Sequence, residues 1–355
     1  METQAPSGCK ASKLLPVFTL LGDNFNVPAA WPTPVEVTIA DDCGSSFTAG
    51  TTTLAFSNGD PPLTMTSLLN GKWTATWPPV NPRSSNTVIN VKSIQQETGI
   101  SGTAIITGGV QPNAAVPVIN HGGVVETGSY TAGPAGGGLV AIFGAQLSDG
   151  PAQAMSLPLG TQLLTTSALI AGQSIPLVFS SSGQVNALLP YSLPTDTRQQ
   201  LVISRANNYS VPEFVTIGAA RPAVFTVDSS GHGQGHIYKI GTDGSQTLAS
   251  PENPAKAGDF LVIYCAGLGA VSPPIDAGVA TPFDHLTNTA NPVTVTIGLQ
   301  TIKALFAGLT PGFTGLYQVN VQVPPGLIDN DAIQLSLNVA NQVSVDVTLA
   351  IRNSQ

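Results

Sequence analysis

A chain of 355 residues has room for two or three domains of ordinary size, each with its own core. Only 9% of residues are charged against 42% hydrophobic, and 37 Gly and 29 Pro interrupt the chain too often for long helices. A formal net charge of −8, from 20 acidic and 12 basic residues with no basic cluster, excludes the phosphate-neutralising surface that nucleic-acid binding needs. No apolar run approaches the roughly 18 residues of a membrane-spanning helix.

Met1-Glu2-Thr3-Gln4-Ala5-Pro6 is not a charged region followed by an apolar one, so the chain shows no export signal of its own. Composition still favours an exported protein whose signal is missing from this chain over a cytoplasmic one. The arm before Trp31 has no evident place in a first sandwich and is the segment expected to exchange between copies. Cys9, Cys43 and Cys265 allow one pair and one thiol left over. Cys265 lies in Phe260-Leu261-Val262-Ile263-Tyr264-Cys265 and reads as a small buried hydrophobe, which leaves Cys9 and Cys43, both in turn-like contexts, as the expected disulfide.

Strict alternation at Val35-Glu36-Val37-Thr38-Ile39 predicts a half-buried strand. Ser57-Asn58-Gly59-Asp60-Pro61-Pro62 and Trp77-Pro78-Pro79-Val80-Asn81-Pro82 read as turns. Asp41-Asp42 and Asn58-Gly59-Asp60 supply calcium-type oxygens, but without an Asp-x-Asp-x-Asp pattern ordinary turn chemistry is the preferred reading. Trp73 and Trp77 share one face of a strand. They serve either as core anchors, the preferred reading, or as a platform for sugar rings. Trp31 and Tyr191, each beside a proline, are further candidate contact aromatics.

Gly108-Gly109-Val110-Gln111-Pro112-Asn113 ends the first alternating region, and Gly218-Ala219-Ala220-Arg221-Pro222 ends the second. Domains are therefore expected over 1–112, an N-terminal arm plus one sandwich, then 113–220 and 221–355. The last two look like copies. Gly137-Gly138-Leu139-Val140-Ala141-Ile142-Phe143-Gly144-Ala145-Gln146-Leu147 aligns with Gly258-Asp259-Phe260-Leu261-Val262-Ile263-Tyr264-Cys265-Ala266-Gly267-Leu268. Gln184-Val185-Asn186 with Pro190 then matches Gln318-Val319-Asn320 with Pro324, in the same order, with a loop insertion between. On a strand, the valine of each tripeptide faces the core and its amide neighbours face outward or latch a loop. Further alternation at Val293-Thr294-Val295-Thr296-Ile297 and Val343-Ser344-Val345-Asp346-Val347-Thr348-Leu349 completes an all-β, antiparallel sandwich pattern.

Residues from about 113 to 350 resemble a C-terminal domain family of exported acidobacterial proteins. The likeness rests on Gly138-Leu139-Val140-Ala141-Ile142-Phe143-Gly144, Gly183-Gln184-Val185-Asn186-Ala187, Arg221-Pro222-Ala223-Val224-Phe225, Asn253-Pro254-Ala255, Ala266-Gly267-Leu268-Gly269 and Gly315-Leu316-Tyr317-Gln318-Val319-Asn320. The Gly-rich turn with its Ile-Phe-Gly strand is also similar to the start of IPT/TIG modules, and residues 20–105 are similar to bacterial immunoglobulin-like modules. The resemblance implies tandem immunoglobulin-like antiparallel β-sandwiches and export; it carries no activity and no catalytic residues.

Catalytic signatures are absent: there is no Gly-x-Ser-x-Gly, no His-Glu-x-x-His and no P-loop. Gly231-His232-Gly233-Gln234-Gly235-His236 pairs two imidazoles, but in a glycine-rich loop rather than on a helix that would align them; His121 and His285 are remote. The expectation is therefore a protein with no catalytic residue, no metal site and no cofactor. It is expected to be an extracellular or cell-surface structural or adhesive protein, or an assembly subunit. Its partners would be protein or glycan surfaces, or other copies of itself through strand edges. The alternatives are a carbohydrate-binding accessory region of a larger secreted enzyme and, third, a hydrolase on a β scaffold using His232 or His236.

Overall fold

The computed structural model describes residues 8–353. It is all-β: strands in antiparallel two-sheet sandwiches of immunoglobulin-like type, with no helix among the described residues. No helix is therefore long and apolar enough to cross a membrane. The chain forms two compact units. Unit 1 runs to His121 and includes Gly144–Gln146 and Asn208–Val211; unit 2 is the remainder.

In unit 1 one sheet is built from Leu14–Phe18, Thr33–Asp41, Lys72–Trp77 and Thr66–Ser67, the other from Phe25–Pro28, Ser101–Gln111, Arg83–Ile94, Thr51–Phe56 and Leu63–Thr64. Thr33–Asp41 alternates as its β-branched residues require, with Val35, Val37 and Ile39 inside at 0% exposure. Its solvent side carries Glu36, paired with Lys72 at 3.1 Å. The arm ahead of Trp31 corrects the sequence expectation. Leu14–Phe18 pairs antiparallel with Thr33–Asp41, and Phe25–Pro28 pairs parallel with Ser101–Gln111, so the arm is built into both sheets. Two short alternating pieces separated by a turn do this, with Leu14, Phe25 and Val27 entering the core. Gly108 makes room for one of them, since a Cβ there would lie 2.4 Å from the Phe25 ring.

Trp73 and Trp77 are core anchors, the reading preferred from their spacing, and the alternative of a contact platform for sugar rings is corrected. They are 4% and 1% exposed, and each indole N–H has an internal acceptor: Trp73 donates to the Phe47 carbonyl at 2.9 Å and Trp77 to the Asp60 carboxylate at 2.8 Å. Trp73 stacks on Phe47 and Trp77 on Phe56, with ring centroids 5.3 and 4.7 Å apart. Large rings whose N–H is satisfied inside gain more from burial than from solvent. The loop oxygens weighed as calcium ligands are likewise occupied. Asp41 accepts from the amides of Cys43 and Ser45, and Asp60 from those of Val80 and Asn81.

Unit 2 holds two sandwiches, and no strand pairing among the described residues joins the chain before Pro222 to the chain after it. The stretches expected as separate domains, 113–220 and 221–355, thus each build their own sheets while lying in one compact unit. In the first sandwich Leu139–Ala145, Gln184–Leu188 and Leu177–Ser180 form one sheet, and Thr166–Ile170, Thr197–Arg205 and Glu213–Ile217 belong to the other. In the second, Ile237–Ile240, Phe260–Ala266, Tyr317–Gln322 and Phe306–Leu309 form one sheet, and Val293–Ile297, Gln300–Lys303, Asn330–Val339 and Val347–Ile351 the other. Cys265 is fully buried in that second core, where burial and the negative charge of Glu126 push its thiol well above the ordinary range.

The duplication is visible at the level of register. Phe143 pairs with Gln184, Ile142 with Val185 and Ala141 with Asn186; in the later sandwich Tyr264 pairs with Gln318, Ile263 with Val319 and Val262 with Asn320. On the far side Asn186 lies opposite Phe179, as Asn320 lies opposite Phe306. Both valines are 0% exposed, so both amide pairs lie on the outward face. There each pair bonds along its own strand, Gln184 to Asn186 at 2.7 Å and Gln318 to Asn320 at 3.4 Å.

Candidate functional site

Outward faces of the two repeats wall a cleft of about 700 Å³ within unit 2. Ala141, Gln184 and Asn186 come from the first repeat, Tyr238, Tyr264 and His236 from the second. Strand register explains the second wall. Tyr238 lies opposite Val262, and Tyr264 is two residues beyond, so the pleat puts both rings on one face as diagonal neighbours. The rings meet edge to face with centroids 5.8 Å apart. His236 lies parallel to Tyr238, its Nδ1 2.9 Å from the phenol oxygen, and the Tyr264 hydroxyl donates to Gln246 at 3.1 Å. These contacts hold the aromatic wall in place. Phe225, Tyr130 and Phe313 add apolar surface at the cleft, and Thr226 and Ser229 lie among them.

Among the described residues no carboxylate, lysine or arginine side chain lines this cleft. Two acids adjoin lining residues along the chain: Asp228, next to Ser229, is exposed and accepts from the Ser230 hydroxyl at 2.8 Å, while Glu126, next to Thr127, is 0% exposed. The Glu126 carboxylate accepts from the amides of Gly128 and Ser129, each at 2.9 Å, and from the Ser129 hydroxyl at 3.1 Å. Burial raises its pKa from the ordinary 4.5 to about 7, against the lowering effect of those bonds. The folded state therefore holds a proton that the unfolded state releases. The resulting stability is complete below about pH 4.5 and is lost as pH rises through 7. Glu126→Gln should remove that fall and raise stability at pH 8 by on the order of 2 kcal/mol, the burial cost of the charge less one weakened hydrogen bond. Urea unfolding followed by near-ultraviolet circular dichroism between pH 4.5 and 8 checks this; parallel profiles for the two proteins would refute it.

The sequence candidates fall elsewhere. Trp31 belongs to unit 1 and is 60% exposed. Tyr191 lies outside this cleft: it is half-buried against the second core of unit 2, where burial drives its hydroxyl above the usual tyrosine range, and it lines a separate cavity with Ala270 and Ile275. A Cβ on Gly137, whose φ is +73°, would lie 2.1 Å from the Tyr191 ring, so the Gly-rich turn is shaped to that side chain. His232 is exposed in its loop, and of the histidine pair only His236 reaches the cleft. Among the described residues no three His, Cys, Asp or Glu side chains are grouped to hold a metal. Sequence reasoning missed Tyr238 and Tyr264 as site residues. The available signal was an aromatic at an outward position of an alternating strand, as in Ile263-Tyr264-Cys265.

No protein-family model matches the sequence, and no curated protein matches it. Among solved structures the chain is similar to dimeric latent PorU from Porphyromonas gingivalis, at 9% identity and a TM-score of 0.27, over 96% of this chain and 34% of that one. It is similar to the surface glycan-binding protein PbSGBP-B from Prevotella bryantii at 10% identity and a TM-score of 0.21, over 65% and 41%. A 1.5-MDa bacterial ice-binding adhesin gives 14% identity and a TM-score of 0.22, over 98% and 100%. The chain thus spans about a third of the PorU structure and two fifths of the glycan-binding one.

Proposed function

We propose that this is a non-catalytic extracellular or cell-surface protein with a structural and adhesive role, its sandwiches serving as a rigid support for a recognition surface. One observation carries this reading: the cleft of unit 2 is walled by fixed rings and paired amides, and among the described residues no carboxylate or lysine lines it to work with His236 in acid–base or nucleophilic chemistry. The Cys9–Cys43 bridge suits an oxidising compartment, and the likeness of residues 113–350 to exported acidobacterial and IPT/TIG-like modules suits the same location. The ring-and-amide wall also favours the second reading, a carbohydrate-binding accessory region of a larger secreted enzyme.

Proteinase K applied to intact source cells should degrade the chain while a cytoplasmic marker survives. The purified protein should release no product from polysaccharide or ester substrates. Full protection of the chain in intact cells with Cys9 and Cys43 reduced, or hydrolysis abolished by His236→Ala, would overturn the proposal.

A further inference from the structure

We infer that the cleft of unit 2 binds a neutral oligosaccharide, with the Tyr238 and Tyr264 rings as the stacking wall and the Gln184–Asn186 amides as the hydroxyl-reading wall. The inference rests on the reading of the cleft as a recognition site and adds its ligand class. A pyranose has apolar C–H faces and a rim of hydroxyls, each hydroxyl both donor and acceptor. The two walls present those complements. The rings are pinned before any ligand arrives, by the His236–Tyr238 contact at 2.9 Å, the edge-to-face contact at 5.8 Å and the Tyr264–Gln246 bond at 3.1 Å, so little side-chain entropy is left to lose on binding. In the same cleft, the bond from Gln184 Nε2 to Asn186 Oδ1 fixes both amide planes. It leaves the Gln184 carbonyl oxygen as an acceptor and the Asn186 amino group as a donor for neighbouring hydroxyls.

Charge and polarity narrow the class. An anionic sugar, a phosphate or a charged peptide would be partly desolvated with little counter-charge, since among the described residues no carboxylate, lysine or arginine side chain lines the cleft and His236 is engaged with Tyr238. Lys239, the nearest cation along Ile237–Ile240, is turned away and donates to the Pro254 carbonyl at 2.9 Å. A purely apolar ligand would strip water from Gln184 and Asn186 without replacing their hydrogen bonds. The volume, about 700 Å³, lies within the usual range for small-ligand sites.

The test is calorimetric titration of the full chain with cellohexaose, xylohexaose, maltohexaose, laminarihexaose and mannohexaose, with tetragalacturonate as the anionic probe. At least one neutral hexaose should bind. Tyr238→Ala and Asn186→Ala should each weaken it roughly tenfold or more, as truncation of a central aromatic or amide contact does, while Met155→Ala, 93% exposed and outside the cleft, should not. Should Tyr238→Ala fail to fold, the exposed Gln246 and Phe313 provide variants that cannot disturb the core, Gln246→Ala and Phe313→Ala, and these should also weaken binding. Binding of no neutral hexaose at millimolar concentration, binding of tetragalacturonate alone, or affinity untouched by every cleft variant would overturn the inference. A neutral hexaose that is bound and also cleaved would keep it and sink the non-catalytic proposal; surface exposure without binding would do the reverse.

Discussion

Asp60→Ala is expected to destabilise unit 1 by on the order of 4 kcal/mol, because one buried carboxylate closes four hydrogen bonds at the end of the Lys72–Trp77 strand. Asp60 is 5% exposed. It accepts from the Trp77 indole at 2.8 Å, from Asn58 Nδ2 at 3.0 Å, from the Asn81 amide at 3.0 Å and from the Val80 amide at 3.2 Å. Removing it strands the Trp77 and Val80 donors in a buried setting, at roughly 1–3 kcal/mol for each unsatisfied group. Asp60→Asn keeps one acceptor oxygen and should lose about half as much. All three tryptophans of the chain, Trp31, Trp73 and Trp77, lie in unit 1, so tryptophan fluorescence reads that unit in urea without interference from the other. An Asp60→Ala midpoint within about 0.5 kcal/mol of wild type would show that water replaces the carboxylate at no cost.

The same site shows what sequence reasoning can reach. Asn58-Gly59-Asp60 is legible as a turn, since Asn and Asp bond nearby backbone wherever the chain reverses. That Asp60 also ties down an indole from a different strand is not, because the pair is set by sheet packing and not by local spacing. Alternation at Val35–Ile39 was legible for the reason that it is long and β-branched. The pieces Leu14–Phe18 and Phe25–Pro28 were not, because four or five residues carry too few periods, and an arm that crosses between sheets resembles a linker.

Repetition was a stronger guide than periodicity. Gln-Val-Asn recurs because each sandwich uses the same central strand, with valine inward and amides outward, and the register shared by Phe143 with Gln184 and Tyr264 with Gln318 follows from that. The cleft is a product of tertiary packing. Tyr238 and Tyr264 are neighbours only through the pairing of Ile237–Ile240 with Phe260–Ala266, and Gln184 lines the same cleft only because the two repeats come together inside unit 2. Trp73 and Trp77, the aromatics with the most conspicuous spacing, proved to be core, while the rings that line a site sit singly in ordinary strands. Spacing along one strand identifies a shared face but not whether that face is wet.

Cys9→Ser/Cys43→Ser is expected to cost unit 1 about 3–4 kcal/mol, through the unfolded chain rather than the folded one. The bridge joins residues 34 apart in sequence, with Cα atoms 5.8 Å apart, and it sits just beyond the Leu14–Asp41 pair that ends the first ladder. The native state does not depend on it for alignment, since the Ser12 amide also donates to the Asp42 carboxylate at 2.9 Å across the same strand ends. What the bridge removes is freedom in the unfolded state, where it closes a loop containing Leu14–Phe18, Phe25–Pro28 and all of Thr33–Asp41. Folded spectra of the double variant should therefore match wild type while its urea midpoint falls, and reduction of wild type should reproduce that midpoint. A large change in the folded tryptophan spectrum would mean that the bridge holds native geometry. An unchanged midpoint would mean that the ladder already confines the unfolded chain, and either outcome would refute the unfolded-state account.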